Sequence, residues 1–248
     1  MARSTSLLET QNFVRSDRLI LNECQTLPDI TFGVEAFDSA LTLSFGQFAA
    51  LQGKPAHAFC MLLCVRAVLP QPLGPNSDVI FVDGGNNFDP YSISDNSVEQ
   101  GLDSEKVLER IHISRAFTHH QLASIIIDKL PRAIEEFKAK LIVVSDVTGL
   151  YCDPDVRDDD KEDSLHIFSK TVHTLRTLAR KHHCLILATN LERRNSQMEC
   201  SLEHATHASV KVEQESGLTR FTLLKHPHLL PRTTIASVLG VKVLENYL

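Results

Sequence analysis

Along most of the chain, short continuous apolar runs alternate with longer segments whose apolar residues recur every three to four positions. The runs predict buried strands and the periodic segments predict helices. "QFAAL" (47–51) leads into the helix-period "HAFCMLLCVRAVL" (57–69), and the turn "PQPLGPNS" separates this from the strand "DVIFVDGG" (78–85). "RIHIS" (110–114) reads as a short strand, and "THHQLASIIIDKL" (118–130) as a helix opened by a capping box of Thr118 and Gln121, which Pro131 kinks or restarts. "KLIVVSDV" (140–147) is apolar and β-branched throughout, as a central strand buried on both faces requires. Leu165, Phe168, Val172, Leu175 and Leu178 then keep helical spacing before the strand "CLILATN" (184–190). Beyond it, "ASVKVEQ", a turn over 215–217 and "LTRFTLL" predict an antiparallel hairpin. Strand and helix in alternation imply an α/β fold: a central, mostly parallel sheet flanked by helices, with the hairpin attached at its C-terminal end.

Composition narrows the class. With 248 residues, 43% of them hydrophobic, the chain can bury one full core, so one large domain is expected rather than two small ones. No apolar stretch is long enough to span a bilayer and the N-terminal residues lack a signal-peptide core. The expectation is an intracellular protein without membrane contact, cytoplasmic or, in a eukaryote, nuclear. Cys24, Cys60, Cys64, Cys152, Cys184 and Cys200 form no CxxC pair, which argues against a thiolate zinc site and a disulfide framework. The net charge of -6 gives no overall attraction for nucleic acid. The adjacent pairs His119–His120 and His182–His183 lack the i, i+4 spacing that brings two imidazoles to one metal, and no metal site is expected.

The candidate chemistry lies at "LQGKPAHAFCMLL", where a glycine and a lysine precede an apolar helix. A phosphate loop of the form GxxxxGK[ST] gathers backbone N–H groups around an anion, adds a lysine for the outer phosphates and a hydroxyl for magnesium. Counted from Gly53, the second glycine falls on Ala58, the lysine on Phe59 and the hydroxyl on Cys60. Pro55 removes a further backbone donor, and Lys54 sits beside the first glycine, where its side chain need not enter the loop.

The order of these motifs resembles the RecA-type recombinase core, especially archaeal RadA and its eukaryotic counterparts, from about residue 30 to 238. "DITFGVEAFDSAL" is similar to the family's segment before the first core strand. "FVDGGNNFDP" keeps Asp83, Phe88 and Pro90 of the strand that follows the first helix; "ISRAFTHHQL", "LIVVSDVTGLY", "LILATN" and "LLKHPHLLP" resemble the family's later motifs in order. The resemblance implies a RecA-like P-loop NTPase core at 30–248 behind an N-terminal extension at 1–29. A layout similar to RadB, a core behind a short extension, is expected.

Set against the family pattern, the groups that handle ATP are altered. The glutamate that orients the attacking water corresponds to Gly85. The magnesium strand's closing Asp-Ser is inverted to Ser145-Asp146, and strand alternation would aim Asp146 away from the metal position unless the strand end is distorted. The glutamine after the Thr-Asn pair corresponds to Leu191. No catalytic residue and no cofactor are therefore expected; ATP and magnesium enter only if the altered loop is rescued. The first DNA-binding loop is replaced by "CDPDVRDDDKEDS", whose acidic side chains would repel phosphate and suit a basic partner. The second is reduced to "ERRNSQMECS", where Arg193 and Arg194 are candidate contacts to a partner or to DNA. His226 and His228, in the hairpin that in the family approaches a neighbouring protomer, are candidate interface residues.

The expected function is that of a non-catalytic accessory or scaffold protein in homologous recombination and DNA repair. Its partner would be a RecA/RadA-family recombinase or another paralogue, with DNA reached through the complex. Two other readings stand beside it: a DNA-dependent ATPase with a non-standard loop, and a KaiC-like regulatory module unrelated to DNA.

Overall fold

The computed structural model describes residues 30–41, 43–152, 161–190 and 196–237. A short helix α1 (Glu35–Ala40) precedes strand β1 (Phe48–Gln52), helix α2 (Ala56–Val68) and strand β2 (Val79–Asp83). Helices α3 (Pro90–Glu99) and α4 (Ser104–Leu108) lead to β3 (Ile111–Arg115), and α5 (His119–Ser124) and α6 (Leu130–Phe137) lead to β4 (Leu141–Ser145). The long helix α7 (Lys161–His182) is followed by β5 (Leu185–Asn190), α8 (Ser196–Ala205), and β6 (Ala208–Glu215), β7 (Leu218–Lys225) and β8 (Arg232–Ala236).

The eight strands form one sheet in the order β3-β2-β4-β5-β1-β6-β7-β8. β3 to β6 in that order are parallel to their neighbours, while β6–β7 and β7–β8 are antiparallel. Both faces of β1, β2, β4 and β5 are covered, which is why those strands read as nearly unbroken apolar runs. Val79, Phe81, Val143 and Leu187 face one core with α2; Ile80, Val82, Val144 and Ile186 face the other with α7. The first core holds an aromatic cluster in which Phe37 stacks on Phe221 at 4.4 Å and both meet Phe59 edge-on. The β6–β7 turn places Ser216 and Gly217 at φ 52° and 79°, the twist that a two-residue hairpin requires.

Three predicted features are refined. Thr118 Oγ1 accepts the Gln121 N–H at 3.2 Å, but the Gln121 side chain reaches back to the Phe117 N–H instead of that of Thr118. At Pro131 the helix restarts: a π-helical turn (Ile125–Lys129) precedes it, and the proline occupies the first turn of α6, where the wider turn accommodates its missing N–H. "ERRNSQMECS" is not all loop, because α8 starts at Ser196 and buries Met198 and Leu202 against the α7 side of the sheet. Among the described cysteines, all free, Cys60, Cys64 and Cys184 are buried, and burial pushes the Cys184 thiol up to about 12.

Candidate functional site

Buried Asp83, Ser145, Asp146, Thr148, Thr189 and Asn190 collect at the C-terminal ends of β2, β4 and β5 beside the end of β1, where an open parallel sheet ordinarily binds its ligand. β1 ends at Gln52, and Gly53 turns the chain at φ 106°. Its N–H donates to the Asn190 carbonyl at 2.9 Å, and its carbonyl accepts the Ala56 N–H at 3.0 Å. A Cβ on Gly53 would lie 2.2 Å from the Val212 carbonyl oxygen of β6, so the neighbouring strand itself demands glycine here.

Only Gly53, Lys54 and Pro55 separate β1 from α2. Ala58, Phe59 and Cys60 do not border a loop; they lie within α2 and are buried, Phe59 at 1% exposure. Phe59 meets Phe37 and Phe221 at 5.3 and 5.2 Å, and burial, with Cys64 one turn away, pushes the Cys60 thiol far up. Lys54 is exposed. The first turn of the helix instead presents His57, whose ring nitrogens are shielded from solvent. Burial lowers its pKa, opposed by Asp83, Asp89 and the Asn87 backbone, so the ring is held neutral.

Beside this turn, Asp83 ends β2 fully buried. Its carboxylate accepts the Asn87 N–H at 2.9 Å and the Phe88 N–H at 3.2 Å, and pairs with Arg115 Nε at 3.3 Å. Those bonds fold the segment after β2 back over Gly85. A Cβ at Gly85 would lie 2.1 Å from Asn87 Nδ2 and 2.9 Å from Asp146 Cβ, so the volume a glutamate side chain would need is occupied. Asn87 Nδ2 in turn donates to Ser145 Oγ at 3.2 Å.

The expectation that Asp146 points away rested on regular strand alternation, and the strand does not continue that far. β4 stops at Ser145, and Asp146 takes φ 46°, with its N–H donated to Thr189 Oγ1 at 2.8 Å. This left-handed turn brings its Cβ against Gly85 on the same side as Asn87. Thr148 Oγ1 to Asn190 Oδ1 (2.8 Å) and Gln52 Nε2 to Ser209 Oγ (3.1 Å) complete a set of polar side chains that bond pairwise across the strand ends. Among the described residues, no group of three or more His, Cys, Asp or Glu is placed to hold a metal ion, and no helix is long and apolar enough to cross a membrane.

The structure thus brings Gly53, Lys54, Gly85, Ser145 and Asp146 to one end of the sheet. His226 and His228 lie at the other, because Lys225 at the end of antiparallel β7 is in register with Ser209 at the start of β6. There His226 Nδ1 accepts the N–H groups of His228 and Leu229, both at 3.1 Å, and fixes a turn that exposes His228 and Leu230. Arg193, Arg194, Leu191 and the acidic positions 153–160 lie outside the described residues. One surface was missed by the sequence reading: β3 is an edge strand whose Ile113 is 47% exposed, and Phe117 just beyond it is 71% exposed. An apolar residue at an outward position of a short strand is the signal that would have found it.

A strand-turn-helix unit at β1, a buried aspartate closing β2 and antiparallel strands appended beyond β6 define a core of the RecA/RadA recombinase type. The Rad51 family model matches residues 23–214, well over half of the chain, and the chain belongs to the Rad51 family. It is 26% identical over 177 residues to "DNA repair and recombination protein RadA" of Cenarchaeum symbiosum (strain A), covering 67% of this chain and 43% of that protein. It is 28% identical over 153 residues to "Meiotic recombination protein DMC1 homolog" of Arabidopsis thaliana, covering 61% of this chain and 41% of that protein. The matched segment therefore spans less than half the length of each relative.

Proposed function

We propose that this chain is a non-catalytic member of its family that serves recombination and DNA repair by protein–protein contact with a recombinase or another paralogue. The observation that carries this reading is the three-residue connection from β1 to α2. A phosphate cradle needs several backbone N–H groups converging on one point. Here the N–H groups of Gly53, Ala56 and Ala58 are already bonded to Asn190, Gly53 and Pro55. ATP and magnesium do not fit such a connection: Lys54 is its only cation, the helix start offers a neutral His57, and the space beside Gly85 is taken by Asn87. Cys60 and Gly85 stand where the resemblance puts the magnesium-binding hydroxyl and the glutamate.

Titration of the purified protein with a fluorescent ATP analogue, with and without magnesium and beside an active recombinase, is expected to give no saturable signal at millimolar nucleotide. Saturable micromolar binding lost in Asp146→Ala would overturn the reading in favour of an ATPase.

For the contact itself we assign the edge of β3. Among the described residues β3 pairs only with β2, which leaves one row of its backbone groups open beside Ile113 and Phe117. Replacing Ile113 by Lys and Phe117 by Asp is expected to weaken capture of the partner recombinase in a tagged pull-down by at least about tenfold, the loss typical of a central apolar anchor. Thermal stability should stay within about 0.5 kcal/mol, since both side chains are exposed. Capture that is unchanged in the double variant would remove this edge from consideration.

A further inference from the structure

We propose a second interaction surface, a contact for the phosphate backbone of duplex nucleic acid, on the outer face of α7 and the adjoining end of β7; it rests on the repair reading above. From Ser164 to Leu191 the sequence contains no Asp or Glu, but it includes Lys170, Arg176, Arg180 and Lys181. In a chain of net charge -6, so long a stretch free of carboxylates concentrates positive potential locally. The fold adds to it. Arg176 donates to the carbonyls of His204 and Ala205 at the end of α8, at 3.1 and 3.2 Å, and Lys225 of β7 reaches the Glu203 and His204 carbonyls beside it. Arg176, Arg180 and Lys225 all lie close enough to His207 to lower its pKa after burial has done so, and Arg176 lowers that of Lys225. Three cations from two elements therefore converge on one helix end.

Capping α8 accounts for Arg176 and Lys225, since cations stabilise a helix C-terminus. It does not account for Arg180 or Lys170. Both are exposed, and among the described residues neither side chain makes a hydrogen bond or ion pair. The carboxylates at the margins are Glu162 and Asp163 in the first turn of α7, Glu203 beside Lys225 and Glu135 beside His182. Ten residues separate Lys170 from Arg180, about 15 Å along the helix, which is comparable with the ~12 Å width of the duplex major groove. The two side chains are thus spaced to meet phosphates on either side of it.

The patch also indicates which polyanion. Single strands are held by cations interleaved with exposed aromatic side chains on which bases stack. The large exposed aromatic side chains of the described residues, Tyr91 and Phe117, belong to the segments around β2 and β3 at the far edge of the sheet. A cationic surface without a stacking platform reads phosphates and not bases, and so suits a duplex without sequence preference.

The test is fluorescence anisotropy with a labelled mixed-sequence DNA duplex, against single-stranded oligothymidylate and polyglutamate as competitors, over a salt series. Binding to duplex should fall with salt, and Lys170→Glu with Arg180→Glu should weaken it at least tenfold and reduce the salt slope by about 0.9 for each phosphate that is no longer neutralised. The neutral pair Lys170→Gln with Arg180→Gln should fall between, with the thermal melt unchanged in both. Duplex binding that the variants leave intact, or polyglutamate competing as well as DNA, would overturn the proposal, the second in favour of an acidic protein partner. Capture of the recombinase, measured on the same variants, separates the two readings: retained capture without duplex binding sinks this surface alone, and variant-sensitive duplex binding without capture sinks the scaffold role alone.

Discussion

A chain carrying Phe59→Lys is expected to be recovered unfolded, and not as an ATP-binding protein. The substitution writes a lysine at the position that counting from Gly53 assigns to the phosphate-binding lysine, so it is the obvious attempt at repair. In the folded chain, however, that side chain is 1% exposed and sits among Phe32, Phe37 and Phe221, with centroids at 6.2, 5.3 and 5.2 Å. Removing a buried phenylalanine costs about 3–5 kcal/mol. An ammonium put in its place, with no carboxylate in the cluster, adds several kcal/mol more. Together these approach the roughly 5–15 kcal/mol that holds a typical domain folded. Circular dichroism and a thermal melt check it: loss of the cooperative transition is expected, whereas a folded variant that binds nucleotide would show that α2 begins later than Ala56.

Gly53→Ala should destabilise the protein by about 2–6 kcal/mol, as the sum of left-handed strain and overpacking. The cause lies in the sheet. At φ 106° an L side chain is strained before any contact is considered, and the added Cβ would come within 2.2 Å of the Val212 carbonyl oxygen. That atom is backbone of β6, which is locked in parallel register with β1 through Leu51–Val210 and Gln52–Lys211. It cannot yield without breaking the pairing. Urea unfolding would read the effect as a lowered midpoint at unchanged slope. A loss below about 0.5 kcal/mol would mean that the glycine is kept for a ligand and not for the close approach of two strands. Lys54→Ala, one residue on and exposed, should be nearly silent in the same assay.

Much of the fold was legible because its causes are local. Leu141–Ser145 and Leu185–Asn190 are apolar throughout since each is buried on both faces, and β-branched residues suit such strands. The β6–β7 hairpin announced itself through Gly217 between two alternating runs. Helix α8 did not: Ser196–Ala205 buries little more than Met198 and Leu202 on the sheet, too few apolar positions to set a period against its polar majority. Helices α3 and α4 were similarly hidden, although Asp89 and Asp103 cap them with side-chain bonds to Tyr91 and Glu105 N–H groups, because caps without an apolar stripe are weak signals.

At the site the division is sharper. The sequence by itself determined which residue types are available at the strand ends: glycine at 85, serine before aspartate at 145–146, no second glycine and no lysine where the count from Gly53 requires them. Tertiary structure alone decided where those residues stand. A count along the chain says nothing of where the helix starts, but α2 begins at Ala56 and places Phe59, Cys60 and Leu63 in the core. Strand alternation assumes a strand, but Asp146 leaves it through a left-handed turn held by Thr189. The basic patch joins α7 to β7 across more than forty residues of sequence. In each case the deciding contact is made by residues distant in sequence, and local patterns hold no information about a neighbour that only folding supplies.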